Sequence, residues 1–144
     1  DTKMQIKIKR IDKSLPLPQY QTAGSVAFDF VARETTVIKP KTTAFVPLNV
    51  CIEIPKGFMI LLATRSSLQK RGLMMANGVG IVDQDYSGNN DEYKTVLYNF
   101  TESEAIIERG DRIVQGTFIP IEKCEWEEVD DMGTKDRGGF GSTG

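Results

Sequence analysis

Short apolar-rich runs that read as strands recur along most of this chain, at residues 4–9, 37–38, 44–54, 58–62, 95–100 and 112–121, with apolar and polar residues alternating most clearly in the first. In the first of them Met4, Ile6 and Ile8 are separated by Gln5 and Lys7. A period of two puts successive side chains on opposite faces of an extended backbone, so each run can bury one face and wet the other. Turn-forming segments separate the runs, among them Pro55-Lys56-Gly57, Ser87-Gly88-Asn89-Asn90 and Arg109-Gly110-Asp111. Their spacing suits a sandwich or barrel better than the helical crossovers of a parallel sheet. The chain is therefore expected to be all-β. One short helix is predicted at residues 66–71, two turns at most, where Ser66 can cap the start and Gly72 can end it.

A chain of 144 residues with 40% hydrophobic residues is long enough to bury one core. It divides into a β domain, residues 1–136, and a flexible, glycine-rich tail, residues 137–144. No apolar run nears the roughly 20 residues of a membrane helix, and the N-terminal residues lack an apolar stretch followed by a small-residue cleavage site. A cytoplasmic protein is expected, with no direct membrane binding. The formal charge of −2 offers no long-range attraction for nucleic acid, so any phosphate must be held by a local cluster. The absence of histidine removes the commonest general base and the usual zinc ligand. Cys51 and Cys124 stand in separate contexts and are expected to be free thiols.

Four segments could carry chemistry. Gly139-Phe140-Gly141-Ser142-Thr143-Gly144 matches G-x-G-x-x-G formally, but it lacks the strand-to-helix context through which that fingerprint binds a dinucleotide. What remains is a set of backbone N–H groups able to wrap an anion, two hydroxyls and one flat aromatic ring. Ala63-Thr64-Arg65-Ser66-Ser67 joins an apolar strand to the predicted helix, where a guanidinium, hydroxyls and a helix start suit phosphate oxygens. Gly80-Ile81-Val82-Asp83-Gln84-Asp85-Tyr86-Ser87-Gly88 places an acid directly after an apolar run. With no histidine present, such a carboxylate is the natural candidate to take a proton from water. Gly110-Asp111-Arg112-Ile113-Val114-Gln115 is a turn leading into the last strand, with two polar positions in an apolar run.

In this order, and with Ala27-Phe28-Asp29-Phe30 ahead of them, these segments resemble the five motifs of the trimeric dUTPase family, especially its short bacterial and bacteriophage members. The resemblance covers roughly residues 4–144. It implies a distorted jelly-roll, or β-clip, that assembles as a homotrimer. Three active sites would lie at subunit interfaces, each built from motifs of neighbouring chains and capped by one tail. The implied reaction is hydrolysis of dUTP to dUMP and pyrophosphate, which lowers dUTP and supplies dUMP for thymidylate synthesis. By the same likeness Asp83 activates the water that attacks the α-phosphorus, and Tyr86 packs against the deoxyribose, leaving no room for a 2′-hydroxyl. Asn77 and the hairpin from Gly80, Ile81 and Val82 on to Lys94 would read uracil. Arg65, Ser66, Ser67 and Gln115 would hold the phosphate chain. Phe140 would stack on the base, with Arg137, Ser142 and Thr143 reaching the terminal phosphate. Magnesium, Mg2+, would be bound mainly by the triphosphate and waters, with Asp29 nearby through water.

Three features depart from the usual family pattern. The hairpin after Gly88 is about three residues longer, Arg137 stands about two residues closer to Phe140, and the first motif reads Ala-Phe-Asp-Phe rather than Gly-Tyr-Asp-Leu. Two other functions are carried as alternatives: a dCTP deaminase-like enzyme on the same fold, and a phage regulatory protein that binds a host partner.

Overall fold

The computed structural model describes residues 3–144, leaving residues 1 and 2 of the expected β domain outside the described residues. Among the described residues it consists of eleven strands and a single turn of 3₁₀ helix. In chain order the strands are β1 (Ile8–Arg10), β2 (Phe28–Val31), β3 (Thr36–Ile38), β4 (Thr43–Pro47), β5 (Val50–Ile52) and β6 (Phe58–Thr64). They continue as β7 (Leu73–Met75), β8 (Gly80–Val82), β9 (Lys94–Asn99), β10 (Ala105–Ile107) and β11 (Arg112–Pro120). Every ladder is antiparallel, and the larger sheets run β2-β11-β6-β8 and β4-β9-β7. The pairs β1-β5 and β3-β10 complete the structure. Among the described residues no helix is long and apolar enough to cross a membrane.

Burial alternates most clearly in β9, whereas the opening run at residues 4–9 stays largely exposed and only Ile8 and Lys9 of it enter a strand. In β9, Thr95, Leu97 and Asn99 point inward while Val96 and Tyr98 are partly wetted. In β6, Ile60 and Leu62 are buried. Together with Phe28, Phe30, Val46, Met75 and Val114 these side chains form one contiguous core. Each large apolar side chain buried in this way contributes about 1.5–3 kcal/mol.

The run at residues 44–54 is two strands rather than one. The break falls at Asn49, which is fully buried and left-handed at φ 74°. That conformation is tolerated by asparagine better than by most residues. Its amide group makes the turn worthwhile: Oδ1 accepts from the Asp12 N–H at 2.7 Å and Nδ2 donates to the Asp12 carbonyl at 3.0 Å. The break passes the chain from the β4-β9-β7 sheet to the β1-β5 pair. The predicted helix at residues 66–71 is shorter, Leu68–Arg71, and its N-cap is Ser67, whose hydroxyl makes no capping bond. Gly72 ends it as expected, left-handed at φ 78°.

Gly116 of β11 lies where the two central strands approach the phenylalanines of β2. A Cβ there would stand 2.8 Å from Phe30 Cε2, 3.1 Å from Phe28 Cε2 and 3.2 Å from Leu62 Cδ2. Gly116→Ala therefore overpacks the core and is expected to destabilise the fold by about 1–3 kcal/mol, which denaturant unfolding would read as a lowered midpoint.

Beyond β11 the chain leaves the body. Residues 122–138 are all exposed and pair with no strand. The arm carries Trp126 and Met132, both almost fully exposed.

Candidate active site

Strand β8 pairs with β6 in the register Leu62↔Gly80, Leu61↔Ile81 and Ile60↔Val82. Gly80 lets β8 sit close against β6: a Cβ there would stand 3.0 Å from Leu62 Cβ and crowd that side chain. After Val82 the chain turns at the edge of the sheet: the Tyr86 N–H donates to the Asp83 carbonyl at 3.2 Å, and Gln84 Nε2 donates to the Phe58 carbonyl at 3.0 Å. A recess of about 300 Å³ opens against this turn. Asn77, Gly80, Ile81, Val82, Asp83, Tyr86 and Lys94 line it together, so seven of the residues expected at the site meet in one place. Phe45 and Thr95 line it too and were not anticipated, and Tyr93, inside the stretch expected to read uracil, shares the lining. The only hint at Phe45 was its place in an alternating run; its ring lies 5.1 Å from the Lys94 ammonium, a cation–π contact on the rim.

Tyr86 is partly buried and donates its phenol O–H to the Glu92 carbonyl at 2.7 Å. Burial, reinforced by the neighbouring Asp91, raises the phenol above its ordinary value and keeps it a donor. The expected hairpin is instead a connection between two sheets, because β8 pairs with β6 while β9 pairs with β4 and β7. Residues 87–92 of this connection stay out of the lining, whereas Tyr93 enters it. Those six residues fold back on the body instead.

A second cluster lies at the far end of β6. Asp29 of β2 faces Gln115 of β11 in register and is nearly buried. Its Oδ2 stands 3.1 Å from Arg65 Nε and 3.7 Å from Arg112 Nη1. A buried carboxylate requires such partners, and here it aims two guanidiniums. Two cations against one anion leave a local positive charge next to the Ser66 and Ser67 hydroxyls, a setting suited to phosphate. Gln115 Nε2 donates to the Thr64 carbonyl at 3.2 Å. The sequence marked Arg112 only as a polar position in an apolar run, and its pairing with Asp29 depends on the β2-β11 register.

The two clusters do not meet within one chain. Asp83 emerges beside the Phe58 end of β6, whereas Arg65 follows Thr64 at the other end. At about 3.3 Å per residue they lie roughly 20 Å apart along the strand. The tail residues Arg137, Phe140, Ser142 and Thr143 join neither cluster: they are exposed, and the Phe140 ring touches nothing that would shield it. A larger groove of about 1010 Å³, between the N-terminal segment, Tyr20, Phe28 and Phe118, contains no carboxylate or guanidinium.

Among the described residues no group of three or more His, Cys, Asp or Glu side chains could hold a metal. Asp29, the residue expected near magnesium, commits Oδ2 to arginine.

A jelly-roll with a nucleoside-sized recess ending in an acid, and a separate guanidinium and hydroxyl cluster, defines a nucleotide-handling β protein. Comparison with known proteins narrows the class. The sequence model of the dUTPase family matches residues 13–144. The chain is 38% identical over 144 residues to the deoxyuridine 5′-triphosphate nucleotidohydrolase of Helicobacter pylori (strain J99), covering 98% of this chain and 97% of that protein. It is 36% identical over 145 residues to the enzyme of the same name from Hydrogenobaculum sp., covering 98% and 99%. Among solved structures, the dUTPase of Streptococcus mutans aligns with a TM-score of 0.75 at 29% identity, over 83% of this chain and 98% of that one. The Staphylococcus bacteriophage 80alpha dUTPase, solved with dUpNHpp, has the same fold at a TM-score of 0.86 and 23% identity, over 97% and 98%. This chain belongs to the dUTPase family.

Proposed function

We propose that this dUTPase hydrolyses dUTP to dUMP and pyrophosphate by attack of water on the α-phosphorus, with Asp83 as the base, lowering dUTP and supplying dUMP for thymidylate synthesis. The observation that carries the reading is the recess. Asp83 stands at its edge, Asn77 and the β8 backbone offer polar groups to a uracil, and Tyr86 presents a ring fixed by its own hydrogen bond. A ring held in that way can pack against a deoxyribose and refuse the extra oxygen of a ribose. Arg65, Ser66, Ser67 and Gln115 form the phosphate side of the site, and Arg112 joins them through Asp29.

The separation of the two clusters supports a homotrimer in which the recess of one copy faces the guanidinium cluster of another. The exposed arm and tail would then carry Arg137, Phe140, Ser142 and Thr143 to a site on a neighbouring chain. Phe140 would cover the base, and the glycine-flanked hydroxyls would meet the terminal phosphate. Magnesium would be held chiefly by the triphosphate and waters, near Asp29, and supplies charge neutralisation when bound. The place of action is the cytoplasm.

Pyrophosphate release from dUTP, dTTP, dCTP and UTP tests the proposal. Turnover should be confined to dUTP by a ratio of at least about 10² in kcat/KM, because a closed pocket rejects added groups by clash and leaves unmatched polar groups unpaired. Comparable turnover of dTTP would refute the uracil reading. Conversion of dCTP to a uracil nucleotide would replace it with a deaminase.

A further inference from the structure

The segment that lengthens the connection from β8 to β9, Asn89-Asn90-Asp91-Glu92-Tyr93, is held by several bonds to the rest of the chain. Lys9 Nζ donates to the Asn89 carbonyl at 3.0 Å, and the Gly88 N–H donates to Asp91 Oδ2 at 2.8 Å. The strongest attachment is at Glu92. Arg33 donates to it in parallel, Nε to Oε2 at 2.7 Å and Nη2 to Oε1 at 2.9 Å. The Asn49 N–H adds a third bond to Oε2 at 2.9 Å. Both side chains are largely shielded from water, which makes this forked pair stronger and more directional than a surface ion pair. Glu92 also accepts, through its backbone carbonyl, the phenol O–H of Tyr86 at 2.7 Å. Glu92 thus helps tie the wall of the recess to the body, its carboxylate gripping Arg33 and its carbonyl holding the ring, beside the Tyr93 N–H of the same peptide group, which donates to the Val50 carbonyl at 2.8 Å.

We propose that the Arg33–Glu92 pair is a specificity-determining device, setting the position of the Tyr86 ring and with it the preference for a deoxyribose over a ribose. Neither residue lines the recess, so both act as positioning residues. The inference rests on the reading of Tyr86 as the wall beside the sugar. Releasing the clamp lets the Glu92 carbonyl and the ring drift outward, which widens the space facing C2′ and admits the 2′-hydroxyl. The effect falls on discrimination between sugars rather than on the chemical step, because Asp83 does not depend on this bond.

The test is kcat and KM for dUTP and UTP, with thermal midpoints, in Glu92→Gln, Arg33→Lys, Tyr86→Phe, Tyr86→Ala and the Tyr86→Phe/Glu92→Gln double variant. Arg33→Lys keeps the charge but cannot form two parallel bonds, and it replaces Glu92→Gln should that chain fail to fold. The expected result is a fall of about tenfold in the dUTP-to-UTP ratio of kcat/KM for either clamp variant, with kcat for dUTP within about threefold of the parent. Tyr86→Phe should move the ratio the same way, and the double variant should be no worse than the poorer single one, since both cut the same tether. Tyr86→Ala should lower the ratio most. If Tyr86→Ala lowers the ratio while both clamp variants keep it, the clamp is only structural and this inference falls alone. If Tyr86→Ala keeps the ratio, the sugar-wall reading falls and takes the inference with it.

Discussion

Asp83→Asn is expected to lower dUTP turnover by at least about 100-fold while leaving nucleotide binding within a few-fold of the parent. Asparagine matches aspartate in shape and still offers an oxygen acceptor, but it cannot take a proton from water, and a positioned general base contributes roughly 10² to 10⁴ in rate. Asp83 is exposed at the mouth of the recess and makes no side-chain hydrogen bond or ion pair among the described residues, so the substitution removes a function without unpairing a partner there. Two measurements decide the matter together: pyrophosphate release for the rate, and calorimetric titration with a non-hydrolysable dUTP analogue for the affinity. A rate that survives assigns the base elsewhere. A rate and an affinity that collapse together make Asp83 a binding group.

Removing residues 138–144 should lower turnover at least about tenfold and leave stability within roughly 0.5 kcal/mol, because misplacing or losing groups that close a site costs rate steeply while an exposed terminus contributes no core. Phe140 is fully exposed in the single chain, and its φ of 51° is a left-handed value rarely adopted by an aromatic residue. Gly138 and Gly141 on either side are left-handed as well, at φ 86° and 91°. These turns shape the tail into a compact, curled end instead of a strand, which is what a flap with one aromatic face requires. Steady-state kinetics beside denaturant unfolding separate the two effects. Equal losses in rate and stability would mean that the tail is a structural element.

The long strands could be read from the sequence as apolar-rich runs set between turn signals. β9 alternates strictly in burial, β6 buries Ile60 and Leu62 between partly exposed neighbours, and β11, bulged between Arg112 and Val114, buries Ile113, Val114 and Gly116. β2 was not read as a strand: Phe28-Asp29-Phe30 alternates over only three residues, and all four residues of the strand, Asp29 included, are buried. β7 and β10 are only three residues long, too short for a period to declare itself. The recess was legible because Asn77, Gly80, Ile81, Val82, Asp83, Tyr86 and Lys94 lie close together in sequence, from just before β8 to the first residue of β9. The Arg33–Glu92 clamp was not. Its partners are 59 positions apart, and their meeting depends on how β2 and β9 are placed by two different sheets.

The distance along β6 between the acid and the guanidinium cluster has a genetic consequence. If each site draws on two chains, a chain lacking Asp83 and a chain lacking Arg65 are not equivalent defects: each still carries the half that the other has lost. Coexpressed, the two inactive alleles would rebuild some intact sites at mixed interfaces, while either allele alone would rebuild none. Dosage would then follow the number of correctly matched interfaces rather than the number of intact polypeptides, and a single faulty copy would act beyond its own chain.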